Sequence, residues 1–287
     1  MQILKTPEQV YAFVWGLRRQ GASVGVVPTM GALHAGHLSL VNASQQYCDH
    51  SVATIFVNPT QFAPGEDLDK YPRTLEADLE GLAASGAAAV FLPEPQVIYP
   101  PGYSTAVLPP DVARCLEGQY RPEHFQGVAT IVLKLFHLIP ATHAFFGQKD
   151  YQQLRVIESM VRDLNVPIEI IGCPIVRDPD GLAMSSRNRY LNPSERSRAL
   201  RLSQALDRAE SQLATGETDP RIIEQQMRSV LDGGDSHQGV DSIDYATVVD
   251  WRSLQPVDKI SGAVVALIAA HVGSTRLIDN RLWPRTT

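Results

Sequence analysis

The chain has 287 residues, 44% of them apolar and 20% charged, the make-up of an ordinary globular protein with room for two domains. Its 25 Lys and Arg against 31 Asp and Glu leave a net charge of -6, which argues against nucleic acid or an acidic membrane surface as a partner. The opening "MQILKTPEQVYAFVW" has neither a basic leader nor a long apolar run, no stretch reaches membrane-spanning length, and three widely spaced cysteines (Cys48, Cys115, Cys173) fit a reducing cytoplasm better than a disulfide framework.

Along the first 175 residues, β-rich runs alternate with helical patterns. "SVGVVPT" is followed by a helix over Gly36–Tyr47, "SVATIFVN" by one over Arg73–Ser85, "AAAVFLP" by one over Phe125–Leu138, "HAFFG" by one over Tyr151–Leu164, and "IEIIGCPIV" closes the series. Such alternation predicts an α/β fold, a Rossmann-like doubly wound parallel sheet with ligands at the carboxyl ends of its strands. After "RDPDGLAMSSRNRYLNPSE" the pattern changes. Leu202, Leu206, Ala209 and Leu213 mark one face of a long helix, and a second helix is expected near Ile222–Leu231. "DGGDSHQG" reads as a loop, and two β-rich runs, "IDYATVVD" and "GAVVALIAAHV", close the chain. The expected division is therefore residues 1–176 as the sheet domain and 177–287 as a smaller C-terminal α+β domain, with no internal repeat.

The common nucleotide and zinc signatures are missing: no G-x-x-x-x-G-K-[ST], G-x-G-x-x-G, H-E-x-x-H or paired C-x-x-C. What stands out is "VPTMGALHAGHLSLV", where a strand hands over to a helix N-terminus, a natural anion site. His34 and His37 are three apart and could donate to phosphate oxygens as charge builds on a leaving pyrophosphate. They could equally be two polar residues at a turn, one capping a backbone group; a zinc pair lacks a third ligand. In "MSSRNRYL", Ser185, Ser186 and Arg187 offer several donors, and Asn192-Pro193-Ser194-Glu195 already supplies the cap for the next helix, leaving them for another task. Lys149 follows a β-rich run, where a point charge suits a moving phosphate, although a solvated surface lysine is the plainer alternative; Asp150 reads as an N-cap. Asn58, Gln61 and Gln153 are amides that both donate and accept, suited to a small polar substrate, against the simpler Asn-Pro turn. Arg121 and His124 sit in a polar loop that could line an entrance.

Taken together, "PTMGALHAGH", "FVNPTQF", "YPRT", "RPEHFQGV", "FGQKDYQQL", "DGLAMSSRNRYL" and "RLIDN" resemble, in order and over nearly the whole chain, the pantothenate synthetases, the pantoate–β-alanine ligases. That family belongs to the His-X-Gly-His nucleotidyl-transfer superfamily, with Met184-Ser185-Ser186-Arg187 standing where class I aminoacyl-tRNA synthetases carry Lys-Met-Ser-Lys-Ser. The resemblance implies a ligase that activates pantoate as an acyl-adenylate and passes it to β-alanine. It implies an ATP site from Met30, Gly31, Ala32, Leu33, His34, Ala35, Gly36 and His37, with Gly147, Gln148, Lys149, Asp150, Val176, Met184, Ser185, Ser186 and Arg187. His34, His37, Lys149, Ser185, Ser186 and Arg187 would be the catalytic donors. Gln61, Gln153 and Asn58 would bind pantoate, and Gln61 and Tyr71 β-alanine. Mg²⁺ is expected on the triphosphate with no protein metal site, the C-terminal domain as a lid, and a cytoplasmic homodimer. Glu123 departs from the glycine common in "RPGHF" and is expected to alter that loop. A nucleotidylyltransferase of the same fold, or a non-catalytic ATP-binding module, are the alternatives.

Overall fold

The computed structural model describes residues 1–63, 65–66, 68–234 and 238–284. Contacts divide it into two compact units: Met1–Gln148 with Gln152–Pro174, and Lys149–Tyr151 with the chain from Ile175 onward.

The first unit begins with β1 (Gln2–Leu4) and α1 (Pro7–Arg19), whose start is fixed by a Thr6–Gln9 capping box and Pro7. Then follow β2 (Val24–Val27), α2 (Ala35–Tyr47), β3 (His50–Thr54), α3 (Leu75–Ala84), β4 (Ala89–Phe91), the single turns α4 (Pro95–Ile98) and α5 (Glu117–Tyr120), α6 (His124–Leu138), β5 (His143–Gly147), α7 (Tyr151–Asp163) and β6 (Glu169–Cys173). The six strands form one parallel sheet in the order β1-β4-β3-β2-β5-β6. Because successive side chains on a strand point to opposite faces, neighbours in sequence feed two different cores. Val26, Val52, Phe91 and Phe146 pack against α1, α6 and α7 residues such as Val14, Val132 and Ile157. Val27, Ala53, Val90 and Phe145 pack against Leu40 and Val41 of α2 and Leu82 of α3. This is the doubly wound sheet expected. The chain leaves β2 in one direction for β3 and β4 and returns on the other side as β5, so the strand order reverses between β2 and β5, where such folds place their ligands.

The second unit contains α8 (Pro193–Ala199), α9 (Arg201–Ala214), α10 (Pro220–Leu231), β7 (Ser242–Asp250), β8 (Val264–Val272) and β9 (Thr275–Trp283). Its antiparallel sheet runs β7-β8-β9, and Leu206, Ile223, Met227, Val248, Ile268 and Leu277 are among its core residues. The closing sheet thus has three strands where two were expected. In β9, "TRLIDNRLW", charged and amide residues interrupt the apolar alternation that marks a strand. The loop expected at 232–239 is partly seen; residues 235–237 lie outside the described residues. Among the described residues, no helix is long and apolar enough to cross a membrane.

Candidate active site

At the carboxyl end of β2 the chain turns through Gly31 (φ +81°) and Ala32 (φ +50°) into α2. A left-handed alanine is costly and needs a partner that holds it. Asp78 of α3 is that partner: buried at 3% exposure, it accepts the Ala32 N–H at 2.9 Å through one carboxylate oxygen and the Leu33 N–H at 2.8 Å through the other. Thr74 also donates its hydroxyl to Asp78, at 3.0 Å. A Cβ on Gly31 would lie 3.1 Å from the Asp78 carboxylate, so a side chain there meets crowding as well as an unfavourable φ. Thr29 ties the start of the turn to β3 through Thr54.

His34 is the N-cap of α2, and it and His37 cap the helix reciprocally. Nδ1 of His34 accepts from the Gly36 N–H at 3.1 Å, and Nδ1 of His37 accepts from the His34 N–H at 3.4 Å. The rings lie 4.1 Å apart. A backbone N–H can only donate, so both Nδ1 atoms carry lone pairs and each neutral ring bears its hydrogen on Nε2. The capping alternative and the donor alternative are therefore compatible: in each ring Nδ1 serves the helix and Nε2–H is the donor edge, beside a helix N-terminus that favours anions.

After β3, a short 3₁₀ turn at Pro59–Gln61 presents Gln61. Gln61 is held at several points. Its backbone carbonyl accepts from His124 Nδ1 at 3.0 Å and from Arg121 at 3.3 Å, and its side-chain oxygen accepts from Asn58 Nδ2 at 3.1 Å. With that oxygen fixed, the amide Nε2 points to the sulfur of Met30, 3.2 Å away, which brings Gln61 to the β2 turn. Asn58 is 1% exposed and its amide is committed: Nδ2 also donates to the Gly127 carbonyl, and Oδ1 accepts from Tyr99 at 2.7 Å and Thr60 at 3.0 Å. Burial pushes the Glu66 carboxyl up, but two hydrogen bonds and the charge of Arg121 outweigh it and hold it below the usual range. Burial, helped by the Arg121 charge, pushes His124 down to about 4, so the ring is a neutral donor to Gln61. Arg121 and His124 thus brace the Gln61 turn, where an entrance lining was expected. Glu123 adopts φ −93° and ψ −9°, open to any residue, so its replacement of glycine imposes no backbone strain. Tyr71 is buried with its ring 6.0 Å from that of Phe62.

Gly147 ends β5 and Gln148 opens the 3₁₀ turn Gln148–Asp150; Gln153 lies in the first turn of α7. Its neighbour Gln152 is buried and spent on the Val112 and Cys115 carbonyls and the Glu117 N–H.

Within the second unit, Lys149 Nζ lies 3.7 Å from the Asp150 carboxylate. The Val176 carbonyl accepts the Met184 N–H at 3.0 Å, closing a hairpin-like turn that brings those two residues together. Asn192 and Glu195 form the expected capping box of α8. Ser185, however, caps a short helix of its own, accepting the Arg187 N–H at 3.3 Å, a role that occupies its oxygen and leaves its O–H able to donate.

A profile of the pantoate-beta-alanine ligase family matches residues 2–282. The chain belongs to that family. It is 56% identical over 266 residues to a pantothenate synthetase of Rhodopirellula baltica, covering 92% of each chain, and 43% identical to one of a Sulfurihydrogenibium species, covering 98% of this chain and 99% of that one. Its structure matches the crystal structure of pantothenate synthetase from Thermus thermophilus with a TM-score of 0.91, at 39% identity over 98% of this chain and 99% of that one. It also matches a Francisella tularensis pantoate-beta-alanine ligase complexed with beta-gamma ATP and beta-alanine, with a TM-score of 0.76, at 31% identity over 100% of this chain and 99% of that one. Neither alternative, nucleotidylyltransferase or non-catalytic module, is favoured by these matches.

In this member of the pantoate–β-alanine ligase family, the residues that sequence reasoning missed are supports: Asp78, Thr54, Gly127 and the orienting task of Asn58. A Cβ on Gly127 would come within 2.3 Å of the Thr60 carbonyl, so α6 can approach the Gln61 turn only with glycine there. The sole local signal for any of these is the Thr74–Asp78 spacing at a helix start.

Proposed function

We propose that this chain joins pantoate to β-alanine using ATP, through a pantoyl-adenylate, with release of pyrophosphate and AMP. A carboxylate is a poor acyl donor. Its oxygen therefore attacks the α-phosphorus of ATP, the bond to the pyrophosphate oxygen breaks, and the resulting mixed anhydride is attacked by the amine of β-alanine, expelling AMP. The carboxylate attacks as it stands and the amine attacks as its free base, with the protons it sheds passing to water, so the protein's part is positioning and charge stabilisation.

The observation that carries this is the reciprocal histidine cap at the start of α2, in which Nδ1 of His34 and of His37 is the acceptor and Nε2–H the donor edge, at a helix N-terminus. In this account Met30 through His37 contact ATP, with His37 nearest the reacting phosphates. Because Asp78 already takes the Ala32 and Leu33 N–H groups, the two histidines and the helix N-terminus supply the donors, and Ala32 and Leu33 supply shape. Gly147, Gln148, Lys149, Asp150, Val176, Met184, Ser185, Ser186 and Arg187 are assigned to ATP as well, with Lys149, Ser185, Ser186 and Arg187 as donors to phosphate oxygens. Gln61 and Gln153 are assigned to pantoate, with Asn58 acting through Gln61, and Gln61 and Tyr71 to β-alanine.

Among the described residues no three His, Cys, Asp or Glu side chains gather as a metal site, and Mg²⁺ is assigned to the triphosphate of ATP, as part of the substrate. The three cysteines form no disulfide with one another, and burial pushes Cys173 up to about 11, which suits a reducing cytoplasm. A homodimer is carried over from the family resemblance and is tested by light scattering. The activity is tested by incorporation of labelled β-alanine: product must require ATP and pantoate together, with one AMP formed per molecule.

A further inference from the structure

The motif "RLIDN" lies on β9, and the chemistry above gives it no task. Its last two residues break the rule for a sheet strand, since Asp279 is 2% exposed and Asn280 4% exposed where apolar residues would be expected. Such violations mark places where a side chain is kept for what it holds.

Each polar group has a partner. Asp279 receives both terminal nitrogens of Arg177, at 2.6 and 2.9 Å, and the same guanidinium donates to the Gly181 carbonyl at 3.1 Å, in the turn that precedes Met184. Asp279 also accepts the Asn280 N–H at 2.8 Å. On the opposite face of the strand, Asn280 Nδ2 donates to the carbonyl of Lys149 at 2.8 Å, across 131 residues of sequence. Tyr151, two residues later, donates its hydroxyl to the Trp251 carbonyl at 2.9 Å. The Lys149–Tyr151 segment is thereby fixed at two points within the second unit. A lysine side chain is a point charge on a flexible four-carbon stem, so the direction of its ammonium depends on how firmly its backbone is held.

We propose that Asn280 is a positioning residue for Lys149: its amide fixes the Lys149 carbonyl, and the Asp279–Arg177 pair fixes the strand from which Asn280 reaches. This rests on the assignment of Lys149 as a phosphate donor. An error of about 1 Å in such a donor costs about 100-fold in rate, so Asn280→Ala should slow adenylate formation by up to that factor. The reaction of β-alanine with supplied pantoyl-adenylate, which comes after pyrophosphate has left, should stay within about threefold of the parent enzyme.

The deciding experiment is a double-mutant cycle read by single-turnover pyrophosphate release, with Lys149→Ala, Asn280→Ala and the combination. Asn280→Leu, which keeps the volume and lacks the donor, is run beside Asn280→Ala. The expected result is that Lys149→Ala slows release by roughly two to three orders of magnitude, and that adding either Asn280 change to it costs nothing more. An Asn280 effect of equal size with and without Lys149 would show a merely structural role and overturn the proposal. So would normal release in the Asn280 variants, slowing of both half-reactions alike, or loss of folding in both variants. Normal release by Lys149→Ala alone would instead overturn the assignment of Lys149 on which the proposal rests.

Discussion

Nδ1 of His37 accepts the backbone N–H of His34 at 3.4 Å, so the ring assigned to the phosphates is also a clasp on its own helix. The two tasks use opposite edges of the imidazole and can be separated. His37→Ala loses both, and should slow adenylate formation by roughly two to three orders of magnitude and cost about 1 kcal/mol of stability. His37→Asn offers an amide oxygen to the His34 N–H but nothing in place of Nε2–H. It should recover most of the lost stability and none of the rate. Thermal unfolding and single-turnover kinetics on the same samples separate the tasks, and recovery of both together would refute the division of labour.

Asp78 is expected to matter for ATP without touching it. Its carboxylate holds Ala32, at φ +50°, and Leu33 in the turn that leads to the histidines. Asp78→Ala leaves one buried and one partly buried N–H group without their acceptor and should cost about 2–4 kcal/mol. In Asp78→Asn one oxygen becomes an NH₂ group facing an N–H, so the isosteric change should also destabilise. Both variants should raise the KM for ATP more than that for β-alanine. A stable Asp78→Asn variant with unchanged KM values would show that the turn holds itself.

How much of this was legible in the sequence depends on how local each signal is. The runs that became β2, β3, β4, β5 and β6 were visible because buried parallel strands are continuously apolar. β9 was hidden because Arg276, Asp279, Asn280 and Arg281 interrupt its alternation, and β1 because three residues are too few to show a period. The helices expected from periodicity begin at Gly36 and omit α1, although Thr6, Pro7 and Gln9 announce its start. At the site, the segments assigned to substrates were marked by clustered polar residues at strand ends. Their supports were not: Asp78 acts 46 residues from Ala32, and Asn58 reaches Gly127 across 69. Such pairings exist only once the sheet has formed.

The brace behind Gln61 predicts a pH dependence with a definite sign. Burial, then the Arg121 charge, push His124 down to about 4, against an ordinary value near 6.5 in the unfolded chain. As pH falls from about 6.5 towards 4, the unfolded chain takes up a proton that the folded chain refuses, so stability falls, by on the order of 3 kcal/mol at the low end. Glu66, whose carboxyl is held low in the fold, adds its own loss only below its ordinary value of 4.5. Between about pH 6.5 and 4.5 the part of the slope that a change at position 124 removes is therefore assigned to His124. His124→Asn, whose amide nitrogen can replace Nδ1 as donor to Gln61, should flatten it. A melting-temperature series in which parent and variant show the same slope would show that His124 is not held neutral.

Gln61 and Asn58 should fail in the same way. Gln61→Ala should weaken use of pantoate and β-alanine together while leaving ATP affinity nearly unchanged. Asn58→Ala removes the group that fixes the Gln61 amide and should raise the KM for pantoate in the same direction, with ATP again nearly unaffected. Isothermal titration with ATP and steady-state kinetics in pantoate check both. An equal loss of ATP binding would put Gln61 in the wrong site.

The central claim is that pantoate is activated before the amine takes part. The direct measurement is pyrophosphate release when enzyme, ATP with Mg²⁺ and pantoate are mixed in the absence of β-alanine. One pyrophosphate per active site should appear in a single rapid turnover, followed by little more until β-alanine is added. Pyrophosphate that appears only when β-alanine is present would contradict the two-step account.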